Sequence, residues 1–238
     1  MDIKRLLIIL FIAASSLPLR AQMNNPYVDD KIVHFGFSLG MNFMSYGVRE
    51  SLDTINGEVY HARVSSMMPG FSVGFITDLR MTRHLNLRFT PTLHFGQRTL
   101  TYKTESGAEV KGSEGNGRYA EVLSLPLDVP LYLKWSSERE KNYRPYVIVG
   151  GGVSFDFGGQ KERVIYQKNF DYFAAFGFGC DFYFRWFKFC PEIKYCLGFN
   201  NVLTGIDTRP QMSSMDEFYT RSLSRLRNQM ITITFNFE

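Results

Sequence analysis

Apolar residues alternate with small or polar residues along the segment Tyr172–Phe184. A period of two is typical of a β-strand with one apolar face and one polar face. After the next two residues the parity reverses, and the apolar residues of Phe187–Leu197 fall at odd positions. A two-residue turn that pairs Phe184 with Phe187 places both apolar sets on the same face. The pattern therefore predicts a β-hairpin.

Similar strand patterns recur along the rest of the chain. With the hairpin they predict about eight strands, and the other six are Val33–Tyr46, Phe71–Arg80, Leu85–Gly96, Tyr119–Trp135, Pro145–Phe157 and Leu226–Phe237. Four long polar loops are predicted at Gly47–Met68, Gln97–Arg118, Gly158–Phe170 and Asn200–Arg225. Between the loops lie three short turns. The last loop also has apolar residues at helical spacing, which predict a short helix: Met215, Phe218, Tyr219, Leu223 and Leu226.

Two folds accommodate strands with one apolar face, namely a soluble β-sandwich and a transmembrane barrel. A sandwich normally has shorter strands and a charged outer face. Here the strands are about as long as a tilted membrane-crossing strand of roughly 9–11 residues. Short turns that alternate with long loops are typical of outer-membrane barrels. We therefore predict an all-β fold, a transmembrane antiparallel up-and-down barrel with long extracellular loops and short periplasmic turns.

Aromatic residues support a membrane barrel, because they make up 16% of the chain, with 22 Phe and 13 Tyr. Aromatic residues at strand ends are expected to lie at the two membrane surfaces. The predicted periplasmic belt is Trp135, Tyr143 and Trp186, and the predicted outer belt is Tyr46, Tyr102 and Phe199. Pro126 and Pro130 interrupt a predicted strand, and we expect one or both to mark a β-bulge.

The N-terminus has the features of a secretory signal peptide. Lys4 and Arg5 precede the apolar run Leu6–Ala14, which is followed by Ser15, Ser16, Pro18 and the small residue Ala21. We predict a signal peptide over residues 1–21, a periplasmic lead-in over 22–32 and a barrel domain over 33–238. Without the signal peptide the chain has 24 basic and 22 acidic residues, and nothing in it indicates nucleic-acid binding. The predicted location is the outer membrane of a Gram-negative bacterium.

Three cysteines, Cys180, Cys190 and Cys196, are predicted to be unpaired and buried. Cys190 and Cys196 lie six residues apart on one strand, roughly 20 Å at the usual rise and too far apart to form a disulfide. Cys180 is predicted to lie on the opposite face of the sheet from Cys190 and Cys196. The spacing also lacks a metal-ligand pattern, so no metal or cofactor is predicted.

Nine charged residues fall at inward positions of the predicted barrel. They are Asp78, Arg80, Arg88, Asp128, Lys134, Asp181, Lys188, Glu192 and Lys194. Five are basic and four acidic, and an eight-stranded barrel is just wide enough to be filled by side chains. The residues therefore predict a structural charge plug that fills the lumen. An ion or solute pathway is the alternative.

A catalytic site is not predicted. A lipid-modifying enzyme would need a nucleophile, a base and an orienting group at one membrane level. The four histidines are expected at different places: His34 at a periplasmic strand end, His61 in a loop, His84 in a periplasmic turn and His94 near the outside. We assign no catalytic, cofactor-binding or metal-binding residue.

Several segments resemble the PorT family of Bacteroidetes outer-membrane proteins. They include Leu125–Trp135 (LPLDVPLYLKW), Arg144–Phe157 (RPYVIVGGGVSFDF), Phe189–Leu203 (FCPEIKYCLGFNNVL) and Ile231–Glu238. The resemblance implies a non-enzymatic component of the type IX secretion system, which exports proteins with a C-terminal sorting domain. The partners would be other secretion components, outer-membrane lipid and the barrel-assembly machinery. A porin-like diffusion or solute-binding barrel is the alternative function, ahead of a lipid-modifying enzyme.

The two faces of the first hairpin strand give a testable prediction. Phe178→Arg is expected to reduce the free energy of unfolding by roughly 2–4 kcal/mol, because it places a charge on the lipid face near the bilayer midplane. Gly179→Ser, on the lumen face, is expected to have a smaller effect. Unfolding in lipid vesicles would measure both variants, and equal damage would contradict one-sided lipid exposure.

Overall fold

Antiparallel β-strands form most of the described chain. The computed structural model describes residues 24, 29, 31–51, 60–64, 68–104, 120–158, 168–204 and 223–238. The strands are β1 Val33–Glu50, β2 Tyr60–Val64, β3 Pro69–Arg80, β4 Leu85–Phe89, β5 Thr92–Thr104, β6 Ala120–Ser124, β7 Pro126–Ser136, β8 Tyr143–Asp156, β9 Phe170–Tyr183, β10 Lys188–Gly198 and β11 Leu223–Phe237. Within the described ranges, no helix is long and apolar enough to cross a membrane.

The strands close into one barrel. β1 pairs with β11 on one side and with β3 on the other, both antiparallel. Three of the barrel strands each consist of two consecutive segments that pair with the same neighbouring strand. β2 and β3 both pair with β5, and so do β6 and β7. β4 and β5 both pair with β7. Counted this way, the ring has eight strands, which confirms the predicted architecture.

Side chains alternate between the lumen and the outer wall as the sequence predicts. In β9, Phe178 is 62% exposed on the outer wall, whereas Asp181 is buried inside. In β1, Phe35 and Phe37 are exposed and Asn42 is buried. Because one face of each strand is apolar, the outer wall is a broad apolar surface suited to lipid.

The hairpin turn between β9 and β10 also follows the prediction. The Phe184 N–H donates to the Phe187 carbonyl oxygen at 3.0 Å, which leaves a two-residue turn. The two phenylalanine rings stack with their centroids 5.1 Å apart. Of the predicted periplasmic belt, Trp135, Tyr143 and Trp186 are all exposed at this end of the barrel.

The prediction for the outer belt is wrong at Tyr46. This residue is buried in the lumen, with the Arg98 guanidinium carbon 5.1 Å from its ring centroid. β1 continues to Glu50, so Tyr46 keeps the inward parity of Asn42. Phe199 is exposed as predicted, and the side chain of Tyr102 lies outside the described part.

The prolines of β7 mark interruptions rather than the predicted bulges. β7 pairs with β8 in one continuous register from Pro126 to Ser136. Pro130 lies beside the gap between β4 and β5, and Pro126 follows the break between β6 and β7. A proline removes a ladder hydrogen bond. Here the strand pairing is interrupted beside each proline, and no extra residue is inserted as it would be in a bulge.

The strands extend further outward than predicted. β1, β5 and β11 run into segments predicted as loops, and His61 lies in β2 rather than in a loop. Leu223 and Leu226 lie in β11, so the predicted helix is wrong there, and Met215, Phe218 and Tyr219 lie outside the described residues. These strand extensions lack the strict alternation of the barrel wall, so the pattern did not predict them. The predicted signal peptide also lies outside the described residues.

The three cysteines are free thiols, as predicted. Cys190 and Cys196 are buried in the lumen, but Cys180 is only half-buried. Cys180 has the outward parity of Phe178 and Phe182, and side chains on the outer wall of the barrel are only partly covered by neighbouring residues. The expectation that all three are buried is therefore wrong for Cys180.

The structure changes the expected effect of the hairpin variants. A Cβ atom on Gly179 would lie 2.5 Å from the Tyr146 ring and 2.7 Å from the Pro191 carbonyl oxygen. Gly179→Ser therefore requires the lumen to rearrange and is not mild. A better control for Phe178→Arg is Phe182→Arg, which lies on the same face one residue before the periplasmic end of β9.

We expect Phe178→Arg to destabilise the barrel by about 2–4 kcal/mol and Phe182→Arg by about 0–1 kcal/mol, because the penalty for charge falls from midplane to interface. Urea-induced unfolding in phosphatidylcholine vesicles measures both. Similar losses for the two variants would show that Phe178 does not face the middle of the bilayer.

Candidate functional site

Eight charged side chains meet inside the periplasmic half of the barrel and form what we name the charge network. Its members are Asp78, Arg88, Lys134, Asp181, Lys188, Glu192, Lys194 and Glu238, and all are buried. Four are basic and four are acidic. When all are ionised, the network has no net charge, which makes it compatible with a dry environment.

Arg88 is the centre of the network. Its Nε donates to Asp78 Oδ2 at 2.8 Å, and its Nη1 donates to Glu192 Oε2 at 3.3 Å. Its Nη2 donates to Glu238 Oε1 at 2.5 Å. The planar guanidinium has five N–H donors in a fixed geometry, so one side chain on β4 joins carboxylates from β3, β10 and the residue after β11.

The three lysines of the network pair with Asp181, Glu192 and Glu238. Lys134 donates to both oxygens of Asp181, at 2.7 and 2.9 Å. Lys194 donates to Glu192 Oε1 at 2.6 Å, and Lys188 forms an ion pair with Glu238. Hydrogen bonds with an ionised donor and acceptor are shorter and about twice as strong as neutral ones. Each acidic residue of the network thus contacts at least one cation.

Tyrosines and glycines shape the space around these charges. The Tyr146 hydroxyl donates to Glu192 Oε2 at 2.8 Å, and Lys134 Nζ lies 4.0 Å from the Tyr146 ring centroid. A Cβ on Gly177 would lie 2.8 Å from Lys194 Cγ. The small inward residues of β9 therefore leave the room that the long side chains of β8 and β10 need.

The charge network closes the lumen. Arg88 is 1% exposed and the Glu238 side chain is not exposed at all. A cluster of mostly apolar lumen residues adjoins this layer and includes Tyr132, Tyr146 and Ile148. At the level of Arg88 the interior is therefore packed with side chains.

The structure places the nine predicted lumen charges in three locations. Seven belong to the charge network. Arg80 lies at the periplasmic mouth, where its Nη1 donates to the Asp29 carbonyl oxygen at 2.5 Å. Asp128 lies nearer the outer end, with its Oδ2 3.3 Å from His94 Nε2. Glu238 was missed, although the inward residues Thr232, Thr234 and Asn236 indicate its side by parity.

Asp128 belongs to a polar chain in the outer half of the barrel. His94 Nδ1 lies 2.8 Å from Ser72 Oγ, so serine, histidine and aspartate are in contact. These are the groups of a hydrolase triad. The Ser72 hydroxyl is 1% exposed, however, and it also accepts a hydrogen bond from Asn42 Nδ2 at 2.9 Å. Ser72 and His94 line neither the small cavity at the outer end nor the larger one at the periplasmic mouth.

A small cavity of about 30 Å³ opens near this polar chain at the outer end. Arg98, Asp128, Asp156 and Asp171 line it. Arg98 Nη1 donates to Ser124 Oγ at 2.6 Å and lies 3.6 Å from Asp156 Oδ2. Within the described ranges, no group of three or more His, Cys, Asp or Glu residues could hold a metal ion.

The simplest pair of the charge network gives a stability prediction. Asp181→Asn leaves the Lys134 ammonium buried without a carboxylate, so we expect a loss of about 3–5 kcal/mol in the free energy of unfolding. Adding Lys134→Met removes the unmatched charge and should restore most of the loss. Urea-induced unfolding in vesicles measures the cycle, and a double variant as unstable as the sum of both single changes would contradict the pairing.

The family comparison agrees with this architecture. The model of the family described as outer membrane protein beta-barrel domain matches residues 20–204. The outer membrane protein AlkL, solved by solid-state NMR in lipid bilayers, is similar with a TM-score of 0.42 and 14% identity over 85% of this chain and 89% of that chain. OprG from Pseudomonas aeruginosa is similar with a TM-score of 0.42 and 11% identity over 86% of this chain and 93% of that chain. No curated protein matches the chain. The family match covers most of the sequence, so the chain belongs to the outer membrane beta-barrel domain family and is an outer-membrane barrel.

Proposed function

We propose that this barrel is a non-enzymatic component of the type IX secretion system and acts through contacts with other proteins. The resemblance to the PorT family supports this role, through segments such as LPLDVPLYLKW at Leu125–Trp135 and FCPEIKYCLGFNNVL at Phe189–Leu203. It implies a part in the export or maturation of cargo with a C-terminal sorting domain.

The observation that carries the proposal is the closed lumen. A diffusion barrel needs a continuous wet path, whereas Arg88 and its three carboxylates form a dry layer across the interior. Opening that layer would separate ion pairs in a space without water, which costs several kcal/mol for each charge. Function is then left to the outer wall and the two ends of the barrel. We propose that the charge network itself has a structural role.

A solute-binding barrel is the second candidate. The outer cavity favours it, because Arg98 lines a polar space together with Asp128, Asp156 and Asp171. The family is defined by a barrel domain, and that definition fits a solute-handling protein as well as a secretion component. The cavity is about 30 Å³, a few times the roughly 10–15 Å³ that one water molecule needs, so it fits at most a small polar group.

Deletion of the gene in its host separates these functions. If the chain is a secretion component, sorting-domain cargo should remain unprocessed in the periplasm, while uptake of small solutes stays unchanged. Immunoblots of periplasmic and external fractions measure the cargo. Lost solute uptake with intact secretion would contradict the secretion role and favour a solute-handling barrel.

Point variants test whether any chemistry resides in the lumen. Glu192→Gln and Asp128→Asn are expected to lower stability but to support cargo export once the folded protein reaches the membrane. Ser72→Ala should likewise leave export and membrane lipid composition unchanged. Altered lipid A or phospholipid in the Ser72→Ala strain, measured by mass spectrometry, would instead assign catalysis to the serine–histidine–aspartate chain.

A further inference from the structure

The periplasmic mouth of the barrel contains a second cavity, of about 250 Å³, which we name the vestibule. Lys134, Lys188 and Asp181 form its floor and belong to the charge network. Four arginines line the rest of it, namely Arg80, Arg83, Arg139 and Arg144, and they face two carboxylates, those of Asp29 and Glu138. Among the described residues that line the wall above the network, arginines thus outnumber carboxylates.

One carboxylate from outside the barrel already occupies this space. Asp29 Oδ2 lies 3.4 Å from Arg139 Nη1, and Asp29 Oδ1 lies 3.8 Å from Arg144 Nη1. The Tyr183 hydroxyl donates to Asp29 Oδ1 at 2.8 Å. Asp29 precedes β1 in the chain, so a lead-in residue has inserted its side chain between arginines of the barrel mouth.

The two contacts between arginines and the Asp29 carboxylate are long. Strong charge-assisted hydrogen bonds to a carboxylate measure about 2.7–2.9 Å, and both arginine distances exceed this. The Asp29 side chain is 26% exposed, whereas that of Arg139 is only 8% exposed. Ion pairs that remain partly in water contribute little to stability. Asp29 lies outside every barrel strand, so its release breaks no strand pairing.

We propose that the vestibule is a docking site for an acidic peptide segment of another periplasmic protein, and that Asp29 fills the site until such a segment displaces it. Guanidinium groups match carboxylates in shape and charge. The vestibule opens on the periplasmic side, where such a segment can reach it. This site goes beyond the proposed role in secretion, because any periplasmic protein with a suitable acidic segment could bind there.

Direct binding to the purified full chain in phosphatidylcholine nanodiscs tests the proposal. The probe is a rhodamine-labelled peptide of alternating Asp and Ser residues, followed by fluorescence anisotropy. Asp29→Ala should tighten binding about three- to tenfold, because the site no longer needs to release its own carboxylate. Glu140→Gln removes an exposed carboxylate of the turn between β7 and β8, and as a matched control it should change affinity less than twofold.

The arginines need a matched control as well. Arg139→Gln combined with Arg144→Gln should weaken binding at least tenfold, whereas Arg185→Gln, in the exposed β9–β10 turn, should leave it unchanged. Heat-dependent gel mobility shows that each variant is folded, and Asp29→Asn replaces Asp29→Ala if the latter does not fold. Equal effects of the Asp29 and Glu140 changes, or of the Arg139/Arg144 and Arg185 changes, would overturn the proposal. Competition by inorganic phosphate as strong as that by unlabelled peptide would also overturn it, in favour of a phosphate site.

Discussion

The structure depends on the neutralisation of charges that are buried inside the barrel. Removing an ion from water costs several kcal/mol, and only close partners with good geometry offset this. The charge network meets that requirement with four basic and four acidic side chains around Arg88. The same requirement explains the small residues of β9, which make room for the long side chains.

Alternation in the sequence predicted the barrel and the side of the wall on which most residues lie. It placed seven network residues inside, because a strand with period two has only two faces. It could not say which charges pair, since this depends on the stagger of neighbouring strands around the barrel. Asp128 and Arg80 were therefore predicted with the other lumen charges, but they contact His94 and Asp29 instead. The same parity rule could have predicted the inward position of Glu238, because the inward residues of β11 have the same parity.

The remaining errors come from features that are not periodic. Tyr46 was assigned to the outer belt by its residue type, while its parity placed it inside with Arg98. From the sequence, Gly179 was predicted to be a lumen position that tolerates a small side chain. In the structure, the Tyr146 ring occupies the space that such a side chain would need. Close approach of this kind depends on which residue of the next strand lies opposite, and a single sequence does not contain that information.

Arg88 also has a consequence for how the protein assembles. Two of its carboxylates belong to residues 104 and 150 positions later in the chain. Contacts between such distant residues form late, because a long loop must close before they can be made. While the C-terminal strands are missing, the guanidinium has only Asp78 and water as partners. We therefore expect Arg88 to lose its water only when the last strand joins the first, which would couple ring closure to the dehydration of this side chain.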